Sequence, residues 1–121
     1  MQEVTDTEGF FARTIVPNDW KGMLHDKNRS FSPQELADEL VKEPRFKPVE
    51  VRWRKSKDGK WLWKGDTSSD EMCGHMFSYY FYYELVADEA EKAIVRKHVA
   101  RIMDYLIKHN YNFVDIDGKP T

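Results

Sequence analysis

The stretch WLWKGDTSSDEMCGHMFSYYFYY, residues 61–83, joins alternating tryptophans to an aromatic helix through an acidic loop. Ser68 followed three residues later by Glu71 is a capping box, which predicts a helix that starts here and runs to about Val86. Apolar or aromatic side chains lie on every side of this helix, a pattern typical of a helix buried among several neighbours. We therefore expect it to be covered either by the remainder of a larger helical array or by self-association.

A second helix is predicted directly after the first. Asp88 and Glu91 repeat the start signal, and the helix is expected to run to about His109. The second helix has an amphipathic pattern. Together the two predicted helices form a helical hairpin over residues 68–109. Asn110 is a candidate left-handed cap, and residues 110–121 are expected to form a short strand and a turn. The apolar stripe of the second helix consists of Ile94, Val95, Val99, Ile102, Met103 and Leu106.

Residues 48–65 are predicted to form a β-hairpin with its turn at Asp58–Gly59. A two-residue turn would place Trp53 on the face opposite Trp61 and Trp63. A three-residue loop with Gly59 in the left-handed conformation would instead pair Trp53 with Trp63. We favour the three-residue loop because it gathers the tryptophans on one face, which could be either core or a binding surface.

Residues 1–47 are expected to be rich in loops. GFFARTIVP predicts one short strand that stops at Pro17, and Ser32 with Glu35 predicts a short helix that ends at Pro44. The expected fold class is mainly α with a small β-hairpin and a loop-rich N-terminal third. Residues 1–121 are interpreted as a single domain or a fragment of one.

The composition limits the classes of function. The chain has 121 residues and a net charge of -2, which argues against a general nucleic-acid binder. The densest basic stretch, between Arg52 and Lys60, is interpreted as a solvated face. The single cysteine, Cys73, cannot form an internal disulfide, and no apolar run suggests a membrane span. No signal peptide is recognised, so cytoplasmic and periplasmic locations are both compatible with the sequence.

From Lys60 onward the chain resembles segments of large bacterial proteins with six-hairpin, (α/α)6-toroid domains of the glycosidase type. The resemblance rests on WKGDTSSDE before an aromatic helix, on IVRKHVARIMD and on the closing VDIDGKPT. GFFARTIVP extends it to roughly residues 9–121. It implies one helical hairpin of an incomplete α/α toroid. It also implies a carbohydrate-active, hydrolase-like domain with its acidic loop facing a sugar-binding cavity, inactive as an isolated chain.

The acidic loop supplies the candidate site. Glycoside hydrolysis uses two carboxyl groups that flank the scissile bond, and Asp66, Asp70 and Glu71 are the candidates here. The alternative is structural, because acidic residues in a first turn stabilise a helix and Glu71 is explained by its capping box. The spacing matches no common metal motif, and no cofactor is predicted. The candidate oligosaccharide-binding residues are Trp63, His75 and Tyr79.

Two classes of function therefore remain open. The first is a carbohydrate-active, hydrolase-like protein that binds an oligosaccharide. The second is a non-catalytic helical packing or assembly module, in which the aromatic helix is the contact surface and the acidic loop is only a cap.

Overall fold

The computed structural model describes residues 3–120. Within them, three α-helices accompany a three-stranded antiparallel sheet. In chain order the elements are a short 3-10 helix (Glu3–Thr5), β1 (Thr14–Pro17), α1 (Pro33–Lys42), β2 (Trp53–Lys55), β3 (Trp61–Lys64), α2 (Ser69–Leu85) and α3 (Glu89–Lys108). Met1, Gln2 and Thr121, which fall in the predicted terminal segments, lie outside the described residues.

The expected fold class is wrong, because the chain is a small mixed α/β protein and not part of an α/α toroid. β1 pairs with β3, so the strand order is β1-β3-β2 and β3 is central. The predicted β-hairpin is therefore only two thirds of the sheet. The N-terminal third contributes the remaining strand and much of the core. Its strand ends at Pro17 as predicted, on an edge where a missing N–H is tolerated.

The favoured hairpin register is also wrong. Trp53 pairs with Lys64 and Arg54 pairs with Trp63, so Trp53 lies on the face opposite Trp61 and Trp63. The loop explains this register. The Ser56 hydroxyl donates to Asp58 Oδ1 at 2.6 Å and accepts from the Trp61 backbone N–H at 3.0 Å, which closes a loop over residues 57–60. The sheet face that carries Trp63 is the buried one.

The core is centred on a segment that carries no regular secondary structure. Phe10, Phe11 and Ala12 are fully buried or nearly so. The Phe10 ring stacks on Phe113 at a centroid distance of 5.3 Å and meets the edge of Trp63 at 6.3 Å. This cluster packs one face of the helical hairpin against the sheet, through Ile102, Tyr105, Met72, Met76, Tyr79 and Leu106.

Gly9 allows this segment to lie directly against α3. Its φ is +79°, and a Cβ added there would lie 2.3 Å from the Arg101 carbonyl oxygen. Only glycine combines that backbone conformation with so close an approach.

The predicted helices are confirmed. Capping boxes start all three, from Ser32, Ser68 and Asp88. Asn110 has φ of 54° after α3, as its predicted role as a left-handed cap requires. The C-terminal segment forms a single bridge between Val114 and Pro120 rather than a strand. None of the helices in residues 3–120 has the length and apolarity needed to cross a bilayer.

Candidate functional site

The acidic loop between β3 and α2 is fixed to the core at three points. Asp66 has a left-handed backbone with φ of 54°, and its N–H donates to Asp115 Oδ2 at 2.7 Å. The hydroxyl of Thr67, which is fully buried, donates to the Phe11 carbonyl oxygen at 2.9 Å. Ser68 then caps α2. The loop is therefore held in one conformation by buried hydrogen bonds.

Two arginines neutralise the carboxylates of this loop. Arg52 Nη1 lies 2.7 Å from Asp66 Oδ2, and both side chains are largely buried. Arg13 Nε lies 3.0 Å from Glu71 Oε1, and its Nη1 donates to the Asp66 carbonyl oxygen at 3.3 Å. Arg13 thus bridges the two candidate residues. Asp26 extends the ion pairs, with its Oδ2 2.5 Å from Lys64 Nζ.

These basic partners were not recognised in the sequence. Arg52 belongs to the stretch interpreted as a solvated face, which is wrong for Arg52 and for the half-buried Arg54. In a strand, alternate residues face opposite sides, so neighbouring cations differ in exposure. The alternation of Val49, Val51 and Trp53 along this segment would instead place these two arginines on the solvated side, so the sequence pattern did not indicate their burial.

Glu71 is held as a helix cap. It accepts the Ser68 backbone N–H at 2.7 Å, and its Oε2 also contacts the Ser68 hydroxyl. Burial acts to raise its pKa, but the hydrogen bonds from Ser68 and the charge of Arg13 outweigh burial and lower the pKa below the usual value. A carboxyl group that is ionised at neutral pH suits a cap or a base and does not suit a general acid.

Asp70 stands apart from the other two carboxylates. It is exposed in the first turn of α2, and its side chain makes no hydrogen bond or ion pair within residues 3–120. The structure therefore places Asp66 in an ion pair, Glu71 in a cap and Asp70 in solvent. It does not direct the three toward one shared position, and their catalytic roles stay predictions.

The three candidate substrate-binding residues lie on or beside the core. Trp63 is only 3% exposed, so its ring face is covered by protein. His75 meets the ring of Phe11 edge-on at 4.4 Å, and Tyr79 packs against both His75 and His98. Sugar stacking requires an open aromatic face, which Trp63 does not offer. The binding roles of all three residues stay predictions.

We expect the protein to lose stability as the pH falls from 7.5 to 5.5. Burial lowers the pKa of His75 and of His98 below the usual value. The unfolded chain, in which histidine has a pKa of about 6.5, takes up protons first, so the stability present above that pH is lost below it. The lowered pKa values of Asp26 and Glu71 act only at more acidic pH.

Urea unfolding at several pH values measures this loss. His75→Gln removes one titrating group and should flatten the dependence, leaving the part due to His98. An unchanged slope in the variant would show that His75 is not responsible.

The helical hairpin carries an apolar groove on each side. The first, of about 450 Å³, lies beside Arg96, whose Nη1 donates to the Tyr83 hydroxyl at 2.7 Å. The second, of about 490 Å³, lies beside Ile94. Both are open and shallow surfaces of the α2–α3 pair rather than enclosed cavities.

The outer side of α2 and its C-terminal cap carry a group of exposed apolar side chains, here called the outer α2 face. Phe77 is 67% exposed and Leu85 is 74% exposed, although both are large apolar side chains. The rings of Phe77 and Phe81 pack against each other at 4.7 Å. The members of this face are Phe77, Tyr80, Phe81, Tyr82, Leu85 and Val86.

No group of three or more His, Cys, Asp or Glu side chains within residues 3–120 is arranged to hold a metal ion. Comparisons of the chain with family models, with curated proteins and with solved structures give no match.

Proposed function

We propose that the chain is a non-catalytic assembly module that pairs with a second copy of itself through the outer α2 face. The observation that carries this proposal is the exposure of six large apolar side chains along α2 and at its C-terminal cap. Single exposed apolar residues are ordinary on a soluble protein, but a contiguous patch marks an interaction site.

The size of the patch supports a protein partner. A fully exposed aromatic side chain presents about 200 Å², so the four aromatic residues, at 39% to 67% exposure, present about 400 Å². Leu85 and Val86 bring the apolar area to about 600 Å². The largest patch on a typical monomer is about 300–600 Å², and a stable dimer buries about 800 Å² on each partner. Rim residues of α2 and α3 would supply the difference.

The charge pattern supports a second copy as the partner. Between Met72 and Tyr83 the helix contains no Asp, Glu, Lys or Arg. A charged partner surface would have no counter-charge along this stretch. The same uncharged stretch of a second copy satisfies the requirement, because a two-fold axis brings the same patch of both chains together, and Glu84 lies beyond this stretch, near the end of the helix. Two helical hairpins packed in this way would form a four-helix layer between two sheets.

Charge introduced on the outer α2 face should prevent dimer formation. We expect the wild-type chain to show a concentration-dependent rise from the monomer mass of 14.4 kDa toward twice that value in light scattering. Phe77→Glu combined with Phe81→Glu should remain monomeric at the same concentration, because each chain would bury two unpaired carboxylates. A wild-type chain that stays monomeric at high micromolar concentration would contradict the proposal.

Val41→Glu is the matched control. Val41 is 84% exposed on α1, outside the outer α2 face. The Val41→Glu variant should leave the dimerisation constant unchanged. Circular dichroism of all variants establishes that they fold.

Carbohydrate binding is a second candidate function, supported by a pocket of about 470 Å³ beside Trp61. Trp61 is 37% exposed, and Asp6 and Asp58 lie around the same pocket with Lys57. An open aromatic ring beside carboxylate acceptors suits stacking and hydrogen bonding of a sugar. The pocket lies at the hairpin end of the sheet, so this candidate does not use the acidic loop.

Titration with glucose hexasaccharides of α- and β-linkage tests this second candidate. If it is correct, one of them should bind and Trp61→Ala should weaken binding about tenfold or more, as loss of an aromatic platform predicts. Trp20→Ala is the control, because Trp20 is a comparably exposed tryptophan outside that pocket. Equal loss in both variants, or no binding by wild type, would exclude the candidate.

A further inference from the structure

A separate pocket of about 340 Å³ lies where the start of α1, residues 48–51 and the C-terminal turn meet. Its wall contains both apolar and charged side chains. Its lining residues are Phe31, Leu36, Pro48, Val49, Glu50, Val51, Arg54, Asp117 and Lys119. Neither the outer α2 face nor the Trp61 pocket shares a residue with it.

Arg54 is the unusual member of this lining. It makes no ion pair and no side-chain hydrogen bond within residues 3–120, and its Nη1 is buried without a partner. The guanidinium lies over the Trp63 ring at 5.4 Å, and Nη1 lies 3.0 Å from the Cβ position of Gly65. The cation therefore lies against the core while the buried N–H groups of its Nη1 have no hydrogen-bond partner. Unsatisfied buried donors of this kind are rare in folded proteins.

The nearby carboxylates are already engaged by backbone groups. Both oxygens of Asp115 accept backbone N–H groups, at 2.7 Å and 2.6 Å. Glu50 accepts the Phe31 N–H at 3.3 Å, and Asp117 accepts the Lys119 N–H at 3.0 Å. These carboxylates thus offset the charge of Arg54 from a distance, and none of them accepts a hydrogen bond from its guanidinium.

We infer that this pocket binds a small organic carboxylate with an apolar body. The carboxylate would accept from Arg54, with Lys119 beside it, and the apolar body would lie against Phe31, Leu36 and Val49. Carboxylates match the planar donor set of arginine, and charge-assisted hydrogen bonds of this type are stronger than neutral ones. A concave, largely apolar wall with a few fixed polar groups is the usual form of a small-molecule site.

Isothermal titration calorimetry with 3-phenylpropionate and with its neutral amide tests the inference. The acid should bind saturably to the wild-type protein, and the amide at least about tenfold more weakly, because it lacks the charge that Arg54 requires. Arg54→Met keeps a long side chain over Trp63 and should weaken binding of the acid at least about tenfold. Lys55→Met is the matched control, since it removes one exposed charge from the same strand and should leave binding unchanged.

Three results would overturn the inference: no binding of the acid, equal binding of acid and amide, or equal loss in the Arg54 and Lys55 variants. If Arg54→Met fails to fold, Lys119→Gln decides, because Lys119 lies in an exposed turn. Weaker binding of the acid and unchanged binding of the amide in that variant would support the site, and any other outcome would reject it.

Discussion

Phe10→Ala is expected to lower the free energy of unfolding by about 3–5 kcal/mol, the cost of removing a large buried aromatic side chain. Phe10 is completely buried and packs on Trp63, Tyr105 and Phe113. Its ring contacts the sheet, α3 and the C-terminal segment. The alanine variant would therefore leave a cavity at the place where these three parts of the fold meet. A chain of this size has a total stability of about 5–15 kcal/mol, so the variant should be close to unfolding.

Urea unfolding followed by tryptophan fluorescence measures the loss. Phe77→Ala makes the same change at a site that is 67% exposed, and below the dimerisation concentration it should cost far less. If both variants lost similar stability, the residues around Phe10 would not be the core of the fold.

The helices could be predicted from the sequence because their signals are local. A capping box and its following periodic pattern lie within a few residues of each other, and Ser68 with Glu71 is an example. The pairing of β1 with β3 joins residues about 50 positions apart, and no local pattern specifies it. The strand at β1 was predicted without a partner, so the mainly α expectation included only the β-hairpin as a sheet.

The candidate site could be predicted only in part for the same reason, because its contacts join residues that are far apart in the sequence. The carboxylates of Asp66 and Glu71 are visible in the sequence, but their partners Arg52 and Arg13 come from other segments. Aspartate and glutamate can act in catalysis or form a structural ion pair, and only the residues around them distinguish the two roles. Trp63 illustrates the point for aromatic residues, since a core position and a binding platform have the same sequence pattern.

The aromatic character of α2 predicts more neighbouring elements than residues 3–120 supply. One face of the helix packs on the core through Met72, Met76 and Tyr79, while Phe77 and Phe81 stay exposed. A helix that is apolar all round needs neighbours on every side, and residues 3–120 supply them on one side only. The proposed pairing of two chains follows from this imbalance.

Asp115→Ala is expected to cost about 3–6 kcal/mol. Its buried carboxylate accepts the N–H groups of Asp66 and Ile116. Hydrogen bonds to a charged group contribute about 1.5–3 kcal/mol each, and truncation leaves both donors without a partner. The Asp66 N–H belongs to a residue in the left-handed conformation, so the loop that starts α2 loses its anchor as well.

Asp115→Asn should cost less than alanine, because its amide oxygen retains one acceptor. Asp117→Ala is the control, since Asp117 is exposed and accepts a single N–H within the turn, which predicts a loss of about 1 kcal/mol or less. Hydrogen exchange of the Asp66 amide adds a local measurement. In Asp115→Ala that amide should lose its protection even when the rest of the chain remains folded. If it stayed protected and the stability were unchanged, the loop would be held by Thr67 and the ion pairs alone.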